Sequence, residues 1–326
     1  MIRTALRSFL LCLLLPLSAS TQGQVMQTHN LASAVKQART LMAGATASDV
    51  PHHVHYDVRF LDRSGHKANA TYDVYRDPGR FIRVDIASSG YTSESIEDIL
   101  GKHSWRHATG EIPLKLFDLG GILLGPEPAL YGLDRSRRGA VPVHQQMVDQ
   151  ALYLCGGDQA AIRVCFDPLI RAFAFAQVFN ETFVYGDWKR IGTHAIPGKI
   201  QIFDDTKLLV DASGTVEPVE KFPPRFFQAG PKPSTVDTES RPVVHMDPVP
   251  PSPFYGNVQI QIEIDPEGKV AQSKVLDLDD KRIKRPALKF IRSLRFASAG
   301  QNADASAASA AAISPTLFYL RYFPQD

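Results

Sequence analysis

The sequence predicts a β-rich α+β fold: a curved, half-barrel-like antiparallel sheet with helices, followed by a small α+β domain. Three observations lead to this prediction. Short alternating polar and apolar segments recur about every dozen residues, which is typical of an antiparallel meander and not of βαβ units. A proline-rich stretch then interrupts the chain, and a separate group of alternating segments follows it. We therefore expect two domains.

The composition sets the first limits on function. The 326 residues are 44% hydrophobic and 21% charged, and the formal net charge is +2. The apolar content is high enough to build globular cores. The small net charge, without a long basic run, gives no reason to expect a nucleic-acid partner.

The N-terminus predicts export. Arg3 and Arg7 precede an apolar stretch from Phe9 to Leu17, and small residues follow, with cleavage expected after Ser20. This is the layout of a secretory signal peptide over residues 1–20. The apolar stretch is about half of the ~20 residues that a spanning helix needs. We expect a periplasmic protein, with retention as an anchor and association with the envelope left open.

The two cysteines beyond this segment predict a disulfide. Cys155 and Cys165 flank Gly156-Gly157 among β-prone residues. Such a pair suits a bridge across a hairpin in an oxidising compartment. A metal or redox pair would more often show the C-x-x-C spacing, so we favour the structural disulfide.

The N-terminal domain is predicted to span residues 25–228. An amphipathic helix is expected where Leu31, Val35, Ala38 and Leu41 follow helical spacing. The strands come next, and they form a curved sheet with one or two helices in its concave face. The aromatic group of Phe222, Phe226 and Phe227 is expected to belong to the core.

Residues 229–253 are rich in proline and are predicted to form a semi-rigid linker. The C-terminal domain then spans residues 254–326. Val258, Ile260, Ile262 and Ile264 alternate with polar residues, which predicts one strand of a hairpin. A returning strand, a helix with Pro286 in its first turn, an Ala/Ser-rich insert and a closing strand at 316–323 follow.

The order of these elements resembles the C-terminal domain of the TonB energy-transducer family. The matching positions are Gly256-x-Val258, the strand to Ile264-Asp265, Gly268-x-Val270, Ala287, Arg295-Phe296, and the final strand with Phe318, Leu320 and Phe323. The resemblance implies a module that pairs with a protein or peptide partner, such as a segment of an outer-membrane receptor, at a sheet edge. The polar face of the hairpin is expected to be solvated.

Two neighbouring strands would form this partner-binding edge. The predicted contacts are Gln259, Gln261 and Glu263 on the first strand of the hairpin, and Leu317, Tyr319 and Arg321 on the final strand. The main functional hypothesis is therefore an exported binding protein, with a role in outer-membrane transport left open.

The N-terminal domain resembles the outer-membrane lipoprotein carrier and sorting superfamily. The resemblance rests on a strand ending in Phe166-Asp167, on Tyr185-x-Asp187-Trp188, and on Ile196-Pro197-x-Lys199-Ile200. It implies an unclosed β half-barrel with a cavity for an acyl chain. The alternative hypothesis is therefore a carrier of lipid or lipoprotein, in which the small domain only docks.

No catalytic, cofactor or metal site is predicted, and we expect binding without enzymatic activity. The sequence contains no convincing Gly-x-Ser-x-Gly motif, Ser-x-x-Lys motif or phosphate-binding glycine loop, although a hydrolase with an unrecognised site stays open. His52, His53 and His55 lie together, with His103 and His107 further along. No carboxylate or cysteine stands at ligand spacing, so we expect solvent-facing histidines on an edge strand rather than a metal site.

Overall fold

The structure is a computed structural model, and it describes most of the chain beyond residue 29. The described residues are 30–42, 50–101, 103–123, 141–148, 150–157, 162–229, 243–247, 249–250, 252–297 and 316–322. The predicted signal peptide and residues 298–315 of the Ala/Ser-rich insert lie outside these ranges.

Three α-helices, one short 3-10 helix and seventeen strands occur within the described ranges. The helices are α1 (Leu31–Met42), α2 (Leu114–Leu123) and α3 (Lys284–Ser293), and the 3-10 helix is Lys281–Ile283. The strands of the large sheet are β1 (His52–Leu61), β2 (Lys67–Asp77), β3 (Phe81–Ser88), β4 (Tyr91–Asp98), β5 (His103–Gly110), β6 (Val143–Val148), β7 (Ala151–Gly157), β8 (Ile162–Asp167), β9 (Ala172–Val178), β10 (Glu181–Ile191), β11 (His194–Asp204) and β12 (Lys207–Pro218). The remaining strands are β13 (Val243–His245), β14 (Gly256–Ile264), β15 (Val270–Leu278), β16 (Arg295–Phe296) and β17 (Thr316–Tyr322).

Twelve antiparallel strands form one sheet that is not closed. Their order is β5-β4-β3-β2-β1-β12-β11-β10-β9-β8-β7-β6. Two meanders, β1 to β5 and β6 to β12, are therefore joined by a single long-range pairing of β1 with β12, from His52 opposite Pro218 to Phe60 opposite Val210. The predicted β-rich antiparallel architecture is confirmed.

One face of this sheet, called the inner face here, carries the core. On β1, Val54, Tyr56, Val58 and Phe60 are buried, whereas the intervening side chains point to the outer face. This alternation follows from the two-residue period of a strand. The buried positions come from both meanders, so a single core runs across the junction.

Helices α1 and α2 cover the inner face. Helix α1 buries Leu31, Ala34, Val35, Ala38 and Met42, and its two alanines let it lie close to β9 and β11. The predicted amphipathic helix is confirmed. Helix α2 buries Leu116, Leu119 and Ile122 completely.

The aromatic group of Phe222, Phe226 and Phe227 was wrongly assigned to the core. These rings are half-buried on the outer face. Tyr75 meets Phe226 edge to face with ring centroids 4.9 Å apart, and Phe81 stacks on Phe227 at 5.3 Å. A segment after β12 folds back over the sheet, and its aromatic side chains cover outer-face residues that would otherwise be solvated.

The predicted disulfide is confirmed. Cys155 on β7 lies directly opposite Cys165 on β8, and the two are bonded. Both cysteines are fully buried against Phe175 and Tyr153. The bridge therefore links two neighbouring strands near the β6 end of the sheet.

The C-terminal module is a three-stranded sheet, ordered β15-β14-β17, packed against α3. Val258, Ile260 and Ile262 of β14 are fully buried against Ala287 and Ile291 of α3. The predicted hairpin, helix and closing strand are present. Strand β13, inside the predicted linker, pairs with β16. None of the helices in the described part of the chain is long and apolar enough to cross a membrane.

Candidate functional site

A cleft opens beside the C-terminal turn of α1. Its volume is about 440 Å³, which is within the usual size of small-molecule sites. Leu41 and Ile170 lie in the cleft and also pack against the main core. The cleft therefore leads from solvent to the apolar interior. Its lining residues are Gln37, Thr40, Leu41, Ile170, Arg171, Arg190, Thr193 and His194.

Two turns of the sheet place the cations in this cleft. Arg171 closes the turn between β8 and β9, where its backbone N–H donates to the carbonyl of Asp167 at 2.8 Å. Its φ of 62° is left-handed, a conformation that is uncommon for a residue with a side chain. Arg190 and His194 stand on either side of the turn between β10 and β11.

The two guanidinium groups in the cleft are those of Arg171 and Arg190. Neither the Arg171 nor the Arg190 side chain has an ion-pair or hydrogen-bond partner among the described residues. Thr193 and His194 contact each other, with 3.2 Å between Oγ1 and Nδ1. An anion in the cleft would therefore meet two guanidinium groups that no carboxylate of the described chain neutralises.

An arginine and a histidine lie buried next to each other on the inner face. His52 and Arg76 are opposite each other on β1 and β2, and they are 0% and 2% exposed. Within the described chain, Arg76 Nε and Nη1 and His52 Nε2 have no hydrogen-bond partner. His52 is within electrostatic range of His194 in the cleft. Of this pair, Arg76 carries the positive charge, because burial lowers the pKa of His52.

Burial governs the ionisation of this inner pair. Removal from water lowers the pKa of Arg76, and the carboxylate of Glu97 offsets this only in part. Removal from water also lowers the pKa of His52, and Arg76 and His194 lower it further. A buried polar group without a partner costs free energy. An anion that reached Arg76 would relieve that cost.

The C-terminal module docks onto α2 through a face that was expected to be solvated. Gln259 is fully buried; its Nε2 donates to the carbonyl of Ile112 at 3.1 Å and to the Tyr319 hydroxyl at 3.0 Å. The Tyr319 ring stacks on Phe117 of α2 with centroids 3.3 Å apart. The prediction of a solvated polar face is therefore wrong at the centre of the module. Its polar side chains satisfy polar groups of the larger domain.

A charged cluster completes this docked surface. Lys115 Nζ of α2 lies 3.3 Å from Asp118, 3.5 Å from Glu181 of β10 and 2.9 Å from Asp279 after β15. Arg321 of β17 lies 3.3 Å from the other oxygen of Asp118. The cluster thus joins residues of α2, the large sheet and the C-terminal module.

Burial and neighbouring charge shift the pKa values in this cluster. Removal from water raises the pKa of Asp118 to about 6; Lys115 opposes this rise and Glu181 adds to it. Burial disfavours the charge of Lys115, but the surrounding carboxylates outweigh that effect and raise its pKa. Tyr255 donates a 2.6 Å hydrogen bond to Glu181. The cluster consists of buried, mutually dependent charges.

The structure places the six predicted partner-binding residues in two different settings. Gln259, Tyr319 and Arg321 contact the larger domain or line the docked surface. Leu317 is 38% exposed. Gln261 and Glu263 are half-buried on β14, which is the central strand of its sheet and is paired on both sides. Within the described chain, β17 pairs with β14 alone.

His52, His53 and His55 do not lie on an edge strand, contrary to expectation, whereas His103 and His107 lie on β5, which is an edge of the large sheet. Strand β1 is interior to the sheet, between β2 and β12, because the two meanders join there. His103 and His107 lie on β5, separated from β1 by three strands. A carboxylate that the spacing along the chain did not indicate, that of Asp73 on β2, contacts both His53 and His55.

No protein-family model matches the sequence, and no curated protein matches it. The comparisons therefore give no support to the TonB resemblance. The fold is similar to that of several solved structures. One is a LolA superfamily protein from Nitrosomonas europaea, with 11% identity over 61% of this chain and 98% of that one and a TM-score of 0.34. Another is an outer-membrane lipoprotein-sorting domain from Vibrio parahaemolyticus, with 7% identity, 60% and 97% coverage and a TM-score of 0.33.

The structure of MucB is also similar. It shows 11% identity and a TM-score of 0.37, and the match covers 82% of this chain and 98% of MucB. A further MucB structure contains MucA. At TM-scores of 0.33 to 0.37, these similarities carry neither a function nor a partner over to this chain.

Replacing Lys115 should loosen the docked module. We expect Lys115→Met to lower the free energy of unfolding by about 3–5 kcal/mol, because it leaves three carboxylates without their shared cation. Equilibrium urea unfolding measures this loss, and limited proteolysis would show earlier cleavage around residues 243–255.

Arg63→Met is the matched control, because it removes a cation at the same junction. Arg63 contacts Glu111 at 3.2 Å, and its side chain is 51% exposed. An exposed ion pair of this kind contributes about 1 kcal/mol or less. Equal, small losses in both variants would contradict the role of Lys115 in docking.

Proposed function

We propose that this protein is an exported, non-enzymatic binding protein for an acidic amphiphile, a molecule with an acyl chain and an anionic head group. The observation that carries the proposal is the cleft at the end of α1. It combines Arg171 and Arg190, which have no ion-pair partner among the residues that the structure describes, with Leu41 and Ile170, which lead to the apolar core. The arginines at the mouth of the cleft would contact the anionic head group, and the apolar interior behind them would contact the acyl chain.

The open sheet supports the proposed entry of an acyl chain. The twelve strands do not close into a barrel, so the inner face is covered by α1 and α2 instead. Helix α1 contacts the sheet largely through Leu31, Ala34, Val35 and Ala38. A chain entering at the C-terminal turn of this helix would exchange helix–sheet contacts for apolar contacts of its own, which keeps the cost of opening low.

The buried pair behind the cleft supports the anionic character of the ligand. Arg76 adds positive potential on the inner face, and no carboxylate of the described residues forms an ion pair with it. A low-dielectric surrounding lengthens the reach of such a charge. The head group in this proposal pairs with Arg171 and Arg190, and Arg76 increases its attraction.

Export is part of the proposal. The Cys155–Cys165 disulfide suits an oxidising compartment, and the predicted signal peptide points to the same location. The C-terminal module, in this account, docks onto α2 through the Lys115 cluster. The module therefore lies against α2, one of the two helices that cover the inner face.

A second candidate function is pairing of a peptide with β17. Within the described part of the chain this strand has one neighbour, β14, so the other side of its backbone can accept an extended segment. Leu317 is the exposed side chain near its start. This is the function that the TonB resemblance implied, now limited to the outer side of the final strand.

Charge reversal in the cleft should weaken the binding of acidic amphiphiles. We expect the double variant Arg171→Glu/Arg190→Glu to bind a fluorescent fatty acid at least about ten-fold more weakly, because two attractive contacts become repulsive. Binding of an uncharged analogue with the same chain should change little. A fluorescence titration with both ligands measures the two affinities.

Arg285→Glu/Lys289→Glu is the control for net charge. Both residues are exposed on α3, and the change in total charge is the same. The control should keep the affinity of the original protein. Equal weakening in both double variants, or no binding of either ligand by the original protein, would contradict the proposal.

Replacement of Arg76 should raise the stability of the ligand-free protein and weaken its binding of the ligand. Arg76→Met removes a buried cation whose Nε and Nη1 have no hydrogen-bond partner in the described chain, so we expect the ligand-free protein to gain about 1–3 kcal/mol in its free energy of unfolding. The same variant should bind the fatty acid several-fold more weakly. Urea unfolding and the fluorescence titration test the two effects separately. A loss of stability with unchanged affinity would show that Arg76 has a structural role.

The peptide-pairing candidate makes a separate prediction. A photo-crosslinking amino acid at position 317 should give an adduct with another protein in cells, because this side chain is exposed near the start of β17. A crosslinker at Lys289 on α3, which is exposed on the helical side of the module, is the control. Adducts that form only within the chain at position 317 would contradict this candidate.

A further inference from the structure

On the outer face of the large sheet, away from the cleft, two histidines and a carboxylate converge. His53 and His55 are two residues apart on β1, so both side chains lie on the same face of the strand. Asp73 lies opposite His55 on β2. Its Oδ1 atom is 2.7 Å from His53 Nε2 and 2.8 Å from His55 Nδ1.

We propose that His53, His55 and Asp73 form a binding site for a divalent transition-metal ion, with Zn²⁺ as the ion that fits best. The three potential ligand atoms lie within 4.8 Å of one another. Two imidazole nitrogens and a carboxylate oxygen are a ligand set that zinc accepts, with a solvent molecule in the fourth position.

The distances require a small adjustment. Ligands at about 2.0–2.1 Å from a tetrahedral Zn²⁺ are roughly 3.4 Å apart, so each nitrogen, now 2.7 or 2.8 Å from Asp73 Oδ1, must move away from it by roughly 0.6–0.7 Å. Rotation of the side chains is sufficient for this change. The nitrogens that now share a proton with the carboxylate become the ligands when the metal replaces those protons.

The surroundings hold the ligands in position. The other ring nitrogen of His55, Nε2, lies 3.5 Å from the carboxylate of Asp57, an arrangement in which a carboxylate orients a metal-binding imidazole. The ring of His53 stacks on Tyr75 with centroids 4.3 Å apart, and Phe226 packs against the edge of Tyr75. Strand β1 is hydrogen-bonded to a neighbouring strand on both sides, so its backbone supports the two histidines rigidly.

The site is open to solvent on one side. The side chains of His53, His55 and Asp73 are 26%, 34% and 17% exposed. A metal ion can therefore enter without unfolding of the sheet, and a water molecule can occupy the remaining position. These exposures indicate an exchangeable site rather than a closed structural one.

Metal titration of the full chain, produced without a histidine tag, tests the proposal. Zn²⁺ is added in competition with a chromophoric chelator, and Co²⁺ is added separately to record the absorption spectrum of a four-coordinate ion. We expect one bound ion per chain. His53→Ala and Asp73→Asn should each weaken Zn²⁺ binding by roughly ten-fold or more, and His55→Gln should abolish the four-coordinate Co²⁺ spectrum.

His245→Ala is the matched control. His245 also contacts an aspartate two residues away, Asp247 at 3.0 Å, but the contact involves one histidine. This variant should keep the affinity of the original protein. Circular dichroism checks that each variant is folded, and the His55→Gln spectrum decides the matter if His53→Ala does not fold. The absence of stoichiometric Zn²⁺ binding, or binding that persists in Asp73→Asn and His55→Gln, would overturn the proposal.

Discussion

The pairing of β1 with β12 is the constraint on which the rest of the structure depends. It is the long-range contact that turns two local meanders into one sheet of twelve strands. The inner face becomes continuous across this junction. The pairing also holds His52 at the start of β1, where Arg76 and His194 both interact with it electrostatically. The same pairing makes β1 an interior strand, which fixes the backbone beneath His53 and His55.

Buried charge that lowers the stability of the fold is concentrated in two places, the cluster around Lys115 and the buried Arg76. Lys115, Asp118 and Glu181 are buried where the C-terminal module meets α2. A packed apolar surface could hold the module with less loss of hydration, but it would not fix the position of Asp279 and Arg321 so specifically. Arg76, by contrast, has no partner on its Nε and Nη1 among the described residues. An unmatched cation of this kind is more easily explained by a ligand than by stability.

The sequence predicted local features well, because they depend on neighbours along the chain. The alternation on β14, the helical spacing of α1 and the Cys155–Cys165 hairpin all follow from short-range periodicity and turn chemistry. The sequence could not predict which other element covers each face of a strand. Gln259 occupies the polar side of an amphipathic strand, and nothing in its neighbours indicates that α2 lies there. Asp73 is likewise eighteen residues from His55, so their contact depends on strand register, which spacing alone does not give.

Native mass spectrometry of the full chain, produced with its own N-terminus and purified without detergent, would show directly whether an acidic amphiphile is bound. We expect a one-to-one complex whose added mass is lost on organic extraction, with an acidic amphiphile recovered in the extract. This expectation would be contradicted by a folded protein that has only the mass of the polypeptide, both as purified and after incubation with acidic amphiphiles.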